Sequence, residues 1–332
     1  MPPLQHFYGW QTDLAQASAR IHRSFAGAAS TLASAPEAQP LLRANLSITT
    51  LVSTLHRAVQ LGYPYAMVTI ADHVQACLLD NFVAHLRLMR GHSFPLVVIC
   101  VDKPTYAVCQ TLSAAQQPPV LCVEGPSAPR TRDGGRIREG GQIGKGGLRR
   151  TAESWYTDLV WLKPSLLWLG LALGLSMMWS DLDVIHLQSP LPAFRWDESV
   201  AGMEWICETG QPNMASTGFG VVHPAALSAV SAWAGMRGFK YERRHASFRK
   251  YNEQGALWLL NEQTQPRMQL YKCLPKETFV SGCGWHFEAW RKAEHHYHAL
   301  HFSCLRDKRK SMRAAGVWRP TRSPCKAATA EL

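Results

Sequence analysis

Residues 156–194 read YTDLVWLKPSLLWLGLALGLSMMWSDLDVIHLQSPLPAF. Within them, residues 165–179 run fifteen long without a charge. A bilayer-spanning helix takes roughly 20 apolar residues, and Lys163 and Pro164 bound one end. The stretch is therefore expected to be a buried helix over 155–173, interrupted at Pro164 and closed by Gly174. It leads into a buried strand over 175–179. That strand ends in Ser180-Asp181-Leu182-Asp183-Val184. In extended backbone alternate side chains point the same way, so Asp181 and Asp183 are expected to converge on one face. Paired carboxylates just past the most apolar strand of the chain are oxygen ligands for a hard cation such as Mn2+ or Mg2+. An ion held there can bridge a diphosphate and neutralise the charge that develops as it leaves.

Working towards the N-terminus, AMVTIA at 66–71 has the character of a central strand. Val74, Cys77, Leu78, Phe82, Leu86 and Met89 then recur at helical spacing, with Gly91 as a C-cap. LVVICV at 96–101 is a second β-branched run, a short helix spans 105–112, and a third run covers 120–123. Strand, helix and strand at this pace predict a parallel βαβ unit, in which ligands bind at the carboxyl ends of the strands. Ala71, Asp72, His73 and Asp102 sit there. Towards the C-terminus, 202–207 and 217–222 read as strands and 224–236 and 252–260 as helices. The tract HHYHALH at 295–301 holds four histidines, His295, His296, His298 and His301, and any of them has the chemistry of a metal ligand.

The chain has 332 residues, of which 46% are hydrophobic and 18% charged. That excludes wholesale disorder and allows one large α/β domain. Nine cysteines are too few for a disulfide-built miniprotein, and the odd count leaves at least one thiol unpaired within the chain. No CxxC pair points to a structural zinc cluster. The net charge of +11 is local: residues 124–150, 237–250 and 306–326 carry +4, +5 and +7. Such patches suit phosphates or anionic glycans, but no aromatics interleave with the charges of 124–150, so a base-stacking platform is not supported there. Residues 124–150 are rich in Gly, Pro and Arg with no apolar face, which predicts a mobile basic insertion. Its glycine cluster misses a phosphate loop, because Glu139 and Gly146 stand where Gly and Ser/Thr are required.

The block 156–194 resembles the core of the plant and algal nucleotide-diphospho-sugar transferase family. Trp161, Lys163, Leu171, Gly174, Asp181, Asp183, Val184, Leu187 and Pro190 fit its pattern. Further blocks follow in family order: MVTIADHVQACLLDNFVAHLRLM, VVICVD, STGFGVVHP, NEQGALW and HALHFSCLRDKRKSMRAAGVW. The chain departs from the pattern at Asp72 and Ser216, where the family has Asn, and at Leu300 and Cys304, where it has Asn and Gly. The resemblance covers roughly residues 63–318.

The resemblance implies a GT-A α/β fold, with a Rossmann-like nucleotide-binding half and a mixed central sheet. It implies a domain over 63–318, an N-terminal extension over 1–62 that is partly helical or disordered, and a disordered tail over 319–332. It further implies a retaining glycosyltransferase that takes a UDP-sugar donor, pentose or hexose, and a glycan or glycoprotein acceptor. Asp181, Asp183 and His298 would hold Mn2+ or Mg2+. Ala71, Asp72, Asp102, Lys163, Asp181, Leu182, Thr217, Gly218 and Lys308 would line the donor pocket, and Glu253 and Gln254 would serve catalysis. The family works in the Golgi lumen on cell-wall glycans and glycoproteins, although no signal, anchor or transmembrane segment is visible in this sequence. Two other readings compete: a catalytically inactive relative, motivated by Leu300 and Cys304, and a basic polyanion- or nucleic-acid-binding protein. Paired acids in the groove speak against nucleic acid.

Overall fold

The computed structural model describes residues 28–61, 65–89, 94–114, 118–125, 159–194, 202–208, 214–238, 252–265, 269–281, 297–303, 307–322 and 325. The main sheet is built on β1 (Tyr65–Ala71), β2 (Leu96–Cys100), β3 (Val120–Glu124) and β4 (Ser176–Ser180). These run parallel in the spatial order β3-β2-β1-β4. The sheet continues through β7 (Ala215–Val222), which is antiparallel to both β4 and β6 (Met203–Cys207), and ends at β8 (Lys272–Cys273). A parallel Rossmann-like half thus joins a mixed half, as expected.

The parallel strands are buried on both faces, which is why they read as continuous apolar runs rather than alternating ones. Tyr65 and Met67 face one core with α2 (Ala76–Leu88) and α3 (Lys103–Ser113), while Ala66 and Val68 face the other. That second core holds α1 (Ile48–Gln60) and α4 (Leu162–Ala172). Helix α4 is buried over Leu162–Leu171, as its uncharged sequence requires, and Pro164 falls in its first turn where a missing amide is tolerated. Gly174 closes it with φ +80°.

Two boundaries drawn from the sequence need correction. The segment before residue 63 is not a separate extension from residue 36 on. Leu41, Leu46, Ile48, Leu51 and Leu55 are buried in the same core as α4. The tail is likewise ordered over 319–322. Helix α2 carries Asp80, buried, whose carboxylate accepts from Thr321 N at 2.9 Å, Thr321 Oγ1 at 2.6 Å and Arg322 N at 2.8 Å. Cys325 is joined to Cys77 of the same helix. Two more disulfides, Cys109–Cys122 and Cys207–Cys273, fasten α3 to β3 and β6 to β8. Among the described residues Cys100 is the free thiol, and it is buried. The predicted mobile insertion lies outside the described residues from 126 on.

A second, three-stranded sheet sits beside the end of β4, in the order β5 (Val184–His186), β10 (Ala299–His301) and β9 (Phe279–Ser281). These strands have three residues each, too few for a sequence period to reveal them. They bring the segment that leads into α7 (Lys308–Ala314) to the end of β4, while α5 (Leu227–Gly235) packs on α4 and α6 (Glu253–Thr264) on β7.

Candidate active site

Asp181, Leu182 and Asp183 form the connection from β4 to β5. The segment is not extended as expected but a tight turn, with Val184 N bonded to Asp181 O at 3.1 Å. Backbone bonds fix it on two sides: Asp181 N donates to Gly218 O of β7 at 2.7 Å, and Phe302 N to Asp183 O at 2.9 Å. Leu182 is buried in the core, so of the three side chains only the two acids face the site.

The third ligand atom comes from β10. The carboxylates of Asp181 and Asp183 and the imidazole of His301 bring their ligand atoms within 4.8 Å of one another. His301 Nε2 lies 3.6 Å from Asp183 Oδ1, and its Nδ1 lies 3.1 Å from Ser216 Oγ and 3.2 Å from Ser281 Oγ. The two hydroxyls hold one ring nitrogen while the other faces the acids, as metal-facing histidines are commonly held. His298 does not reach this group. Its Nδ1 is 2.7 Å from Ser189 O, and its ring stacks on Phe279. His298 lies in the bend just before β10, where its ring is drawn to Ser189 and Phe279, whereas His301 ends the strand beside the acids. Leu300, on the face opposite His301, is fully buried in the core. His295, His296 and Cys304 lie outside the described residues.

Lys163 reaches the same end from α4 and is 3% exposed. Its Nζ donates to Thr217 O at 2.8 Å, Thr217 Oγ1 at 3.2 Å and Glu253 Oε1 at 2.9 Å, and lies 3.5 Å from Asp181 Oδ1. A buried ammonium needs such partners. Trp179 Nε1 donates to Asp181 Oδ1 at 2.6 Å. Glu253, at the first turn of α6, also accepts from Thr217 Oγ1, while its Oε2 is buried without a hydrogen-bond partner. Gln254 Oε1 accepts from Thr217 N at 3.3 Å. Lys308, at the start of α7, places Nζ 2.5 Å from Asp183 Oδ2. Burial opposes ionisation of Asp183, yet His301 and Lys308 outweigh it and hold its carboxyl below the usual carboxylate range.

Lys163, Asp181, Asp183, Thr217, Gly218, Glu253, Gln254 and Lys308 therefore come together. The residues at the ends of β1 and β2 have structural duties. Ala71 is fully buried. Asp72 caps the short turn that follows, accepting from Gln75 N at 2.9 Å, and burial raises its pKa. Asp102 caps α3 through Thr105 N and Oγ1 and accepts from His73 N at 2.8 Å. Burial alone would raise the Asp102 pKa, but these hydrogen bonds bring it below the ordinary value.

Residues 94–314 match the sequence model of the nucleotide-diphospho-sugar transferase family. The chain belongs to that family. The nucleotide-diphospho-sugar transferases are enzymes, and the apposed acids, lysines and imidazole lie within the matched span. No curated protein matches the chain. Among solved structures it is similar to the glycosyltransferase GlyE of Streptococcus pneumoniae, with 11% identity over 76% of this chain and 58% of that one, at TM-score 0.46. It is also similar to the galactosyltransferase LgtC in complex with donor and acceptor sugar analogues, with 11% identity over 79% and 99% and TM-score 0.46. For mouse xyloside xylosyltransferase 1 the values are 11%, 72%, 98% and 0.43. Among the described residues no helix is long and apolar enough to cross a membrane.

Proposed function

We propose that this transferase moves a pentose or hexose from a UDP-sugar to a glycan or glycoprotein acceptor, with retention, in a reaction dependent on Mn2+ or Mg2+. The observation that carries the reading is the apposition of Asp181, Asp183 and His301. Two carboxylates and one imidazole are a fitting donor set for Mn2+, and His301 replaces His298 as the third ligand. Such an ion, when bound, neutralises charge on the diphosphate oxygens.

The chain's own residues supply the rest. The bond from the anomeric carbon to the diphosphate oxygen breaks, and its electron pair leaves with the nucleoside diphosphate. A new bond forms to the acceptor oxygen, whose proton is released. The Lys308 ammonium lies where it can donate to the departing phosphate. Glu253 is held by Lys163 and Thr217 through one oxygen, which fixes the first turn of α6 against the end of β7 beside the acids. Gln254 is the neighbouring group that orients the donor against the acceptor. The three disulfides among the described residues suit an oxidising compartment, which supports placement in the secretory pathway, with the Golgi lumen as the specific proposal.

A panel of nucleotide sugars, assayed for hydrolysis and transfer with and without Mn2+, tests the reading. At least one UDP-sugar should be turned over with the ion present, and Asp183→Asn should reduce that turnover by a factor of about 100 or more, the cost of losing several kcal/mol of transition-state stabilisation. Turnover of no nucleotide sugar, together with no Mn2+-dependent UDP binding, would overturn it.

A further inference from the structure

An imidazole ligates a metal in its neutral form, with one nitrogen carrying a hydrogen and the other a lone pair. Only a hydrogen on Nδ1 of His301 leaves the lone pair on Nε2, the nitrogen 3.6 Å from Asp183 Oδ1. Ser216 Oγ, 3.1 Å from Nδ1, can donate or accept and so leaves the choice open. Ser281 decides it. Its Oγ lies 3.2 Å from Nδ1 and donates to Glu208 Oε2 at 3.5 Å. A hydroxyl has one proton, and an ionised carboxylate can only accept. With its proton committed to Glu208, Ser281 meets Nδ1 as an acceptor, and Nδ1 carries the hydrogen. Ser303 Oγ, 3.3 Å from the same oxygen, then donates into it.

The relay stands on backbone that is fixed without help from the acids. Ser281 ends β9, is the register partner of His301 across the parallel pair β9 and β10, and is 1% exposed. Glu208 directly follows Cys207, whose disulfide to Cys273 staples β6 to β8. The Glu208 amide also donates to Met214 O at 2.9 Å. Neither Glu208 nor Ser281 belongs to the Asp181, Asp183 and His301 group itself.

We propose that Glu208 and Ser281 are positioning residues of the cation site: Glu208 takes the Ser281 proton, Ser281 holds the Nδ1 hydrogen of His301, and Nε2 is presented towards the acids as a lone pair. This rests on the functional reading above and deepens it, because it makes the preference between ions a property of two residues outside the ligand set. Imidazole is a good ligand for transition metals, whereas Mg2+ is held by oxygen. Misdirecting the ring should therefore cost Mn2+ far more than Mg2+, while a general loosening of the site would cost both.

The test is calorimetric titration of UDP into the full chain over a series of Mn2+ or Mg2+ concentrations, which yields the half-effective concentration of each ion. The proteins are wild type, Glu208→Gln, Ser281→Ala and the conservative Ser281→Thr, with thermal melts to confirm that each is folded. In Glu208→Gln the new amide can donate to Ser281 and turn its proton towards Nδ1. Glu208→Gln and Ser281→Ala should each raise the half-effective Mn2+ concentration about tenfold or more, the usual cost of losing an outer-shell partner. The Mg2+ value should move by less than about threefold, and Ser281→Thr, which keeps the hydroxyl, should match wild type for both ions. Equal losses of Mn2+ and Mg2+ would reduce the pair to a structural support and overturn the proposal. A loss in Ser281→Thr as large as in Ser281→Ala would assign the effect to packing and overturn it too. Should Ser281→Ala fail to fold, Glu208→Gln at its partly exposed position decides alone. If wild type shows ion-dependent UDP binding and Glu208→Gln keeps its ion preference, this inference alone fails. If wild type shows no ion-dependent UDP binding, the functional reading fails with it.

Discussion

A methyl group on Gly218 would stand 2.2 Å from Cε1 and 2.5 Å from Nε2 of His301. The glycine is what lets the imidazole lie against β7 with one nitrogen towards Asp183, while its carbonyl holds the Asp181 amide. Gly218→Ala is expected to leave the fold intact at a cost of about 1–3 kcal/mol. Mn2+ binding should weaken about tenfold or more, because the ring must move off the group. Calorimetry and a thermal melt check the two halves, and unchanged Mn2+ affinity would mean that His301 is not a ligand. Much at this scale was legible in the sequence. Asp181, Asp183, Lys163, Thr217, Glu253 and Gln254 meet as expected. His301 was not singled out, because four histidines in one tract look alike until the register of β10 decides which one faces the acids. Ser216 departs from the family's Asn, and in the structure its hydroxyl holds His301.

Among the elements, β1, β2 and β3 were readable as continuous apolar runs, and α2 and α3 because each is long enough to show helical spacing, although α2 ends at Met89 before Gly91. Asp102 and Asn252 each precede a helix and accept from an amide three residues on. β5, β8, β9 and β10 were not readable. They have two or three residues, and long-range pairing rather than local pattern makes them strands. The ordered C-terminal strap was missed for the same reason: its anchors, Asp80 and Cys77, lie more than two hundred residues away. Asp80→Ala should cost on the order of 1–2 kcal/mol, since it removes three part-buried hydrogen bonds to Thr321 and Arg322. It should also raise hydrogen exchange at residues 317–322 before it affects β1 or β2. Cys325→Ser should cost a further ~2–5 kcal/mol through unfolded-state entropy. Exchange in residues 317–322 as slow in Asp80→Ala as in wild type would show that the clamp does not hold the strap.

At the scale of the whole molecule, burial of neutral histidines ties stability to pH. His186 is sealed between the two sheets, with Nε2 2.9 Å from Ser180 Oγ and the edges of Phe82 and Phe219 around it. Burial pushes its pKa down from 6.5 to about 3. His223, at the end of β7, is pushed down to about 4 by the same cause, and burial lowers His85 as well. In each case the folded pKa lies below the unfolded one. Below pH 6.5 the unfolded chain therefore binds protons that the folded chain refuses, and unfolding becomes easier as pH falls. Stability is fully retained above pH 6.5 and is lost at roughly 1.4 kcal/mol per pH unit for each such group, until its folded pKa is reached. Asp183 works in the same direction, because its carboxyl is depressed and its contribution disappears only in stronger acid. Denaturant titrations at pH 7, 6, 5 and 4 should show the slope steepening below pH 6.5. His186→Gln should be less stable at pH 7, since it disturbs the seam between the sheets, but should shed about one proton's worth of that slope between pH 6 and 4. An unchanged slope in His186→Gln would place the acid sensitivity elsewhere and would mean that this imidazole is already charged in the folded protein.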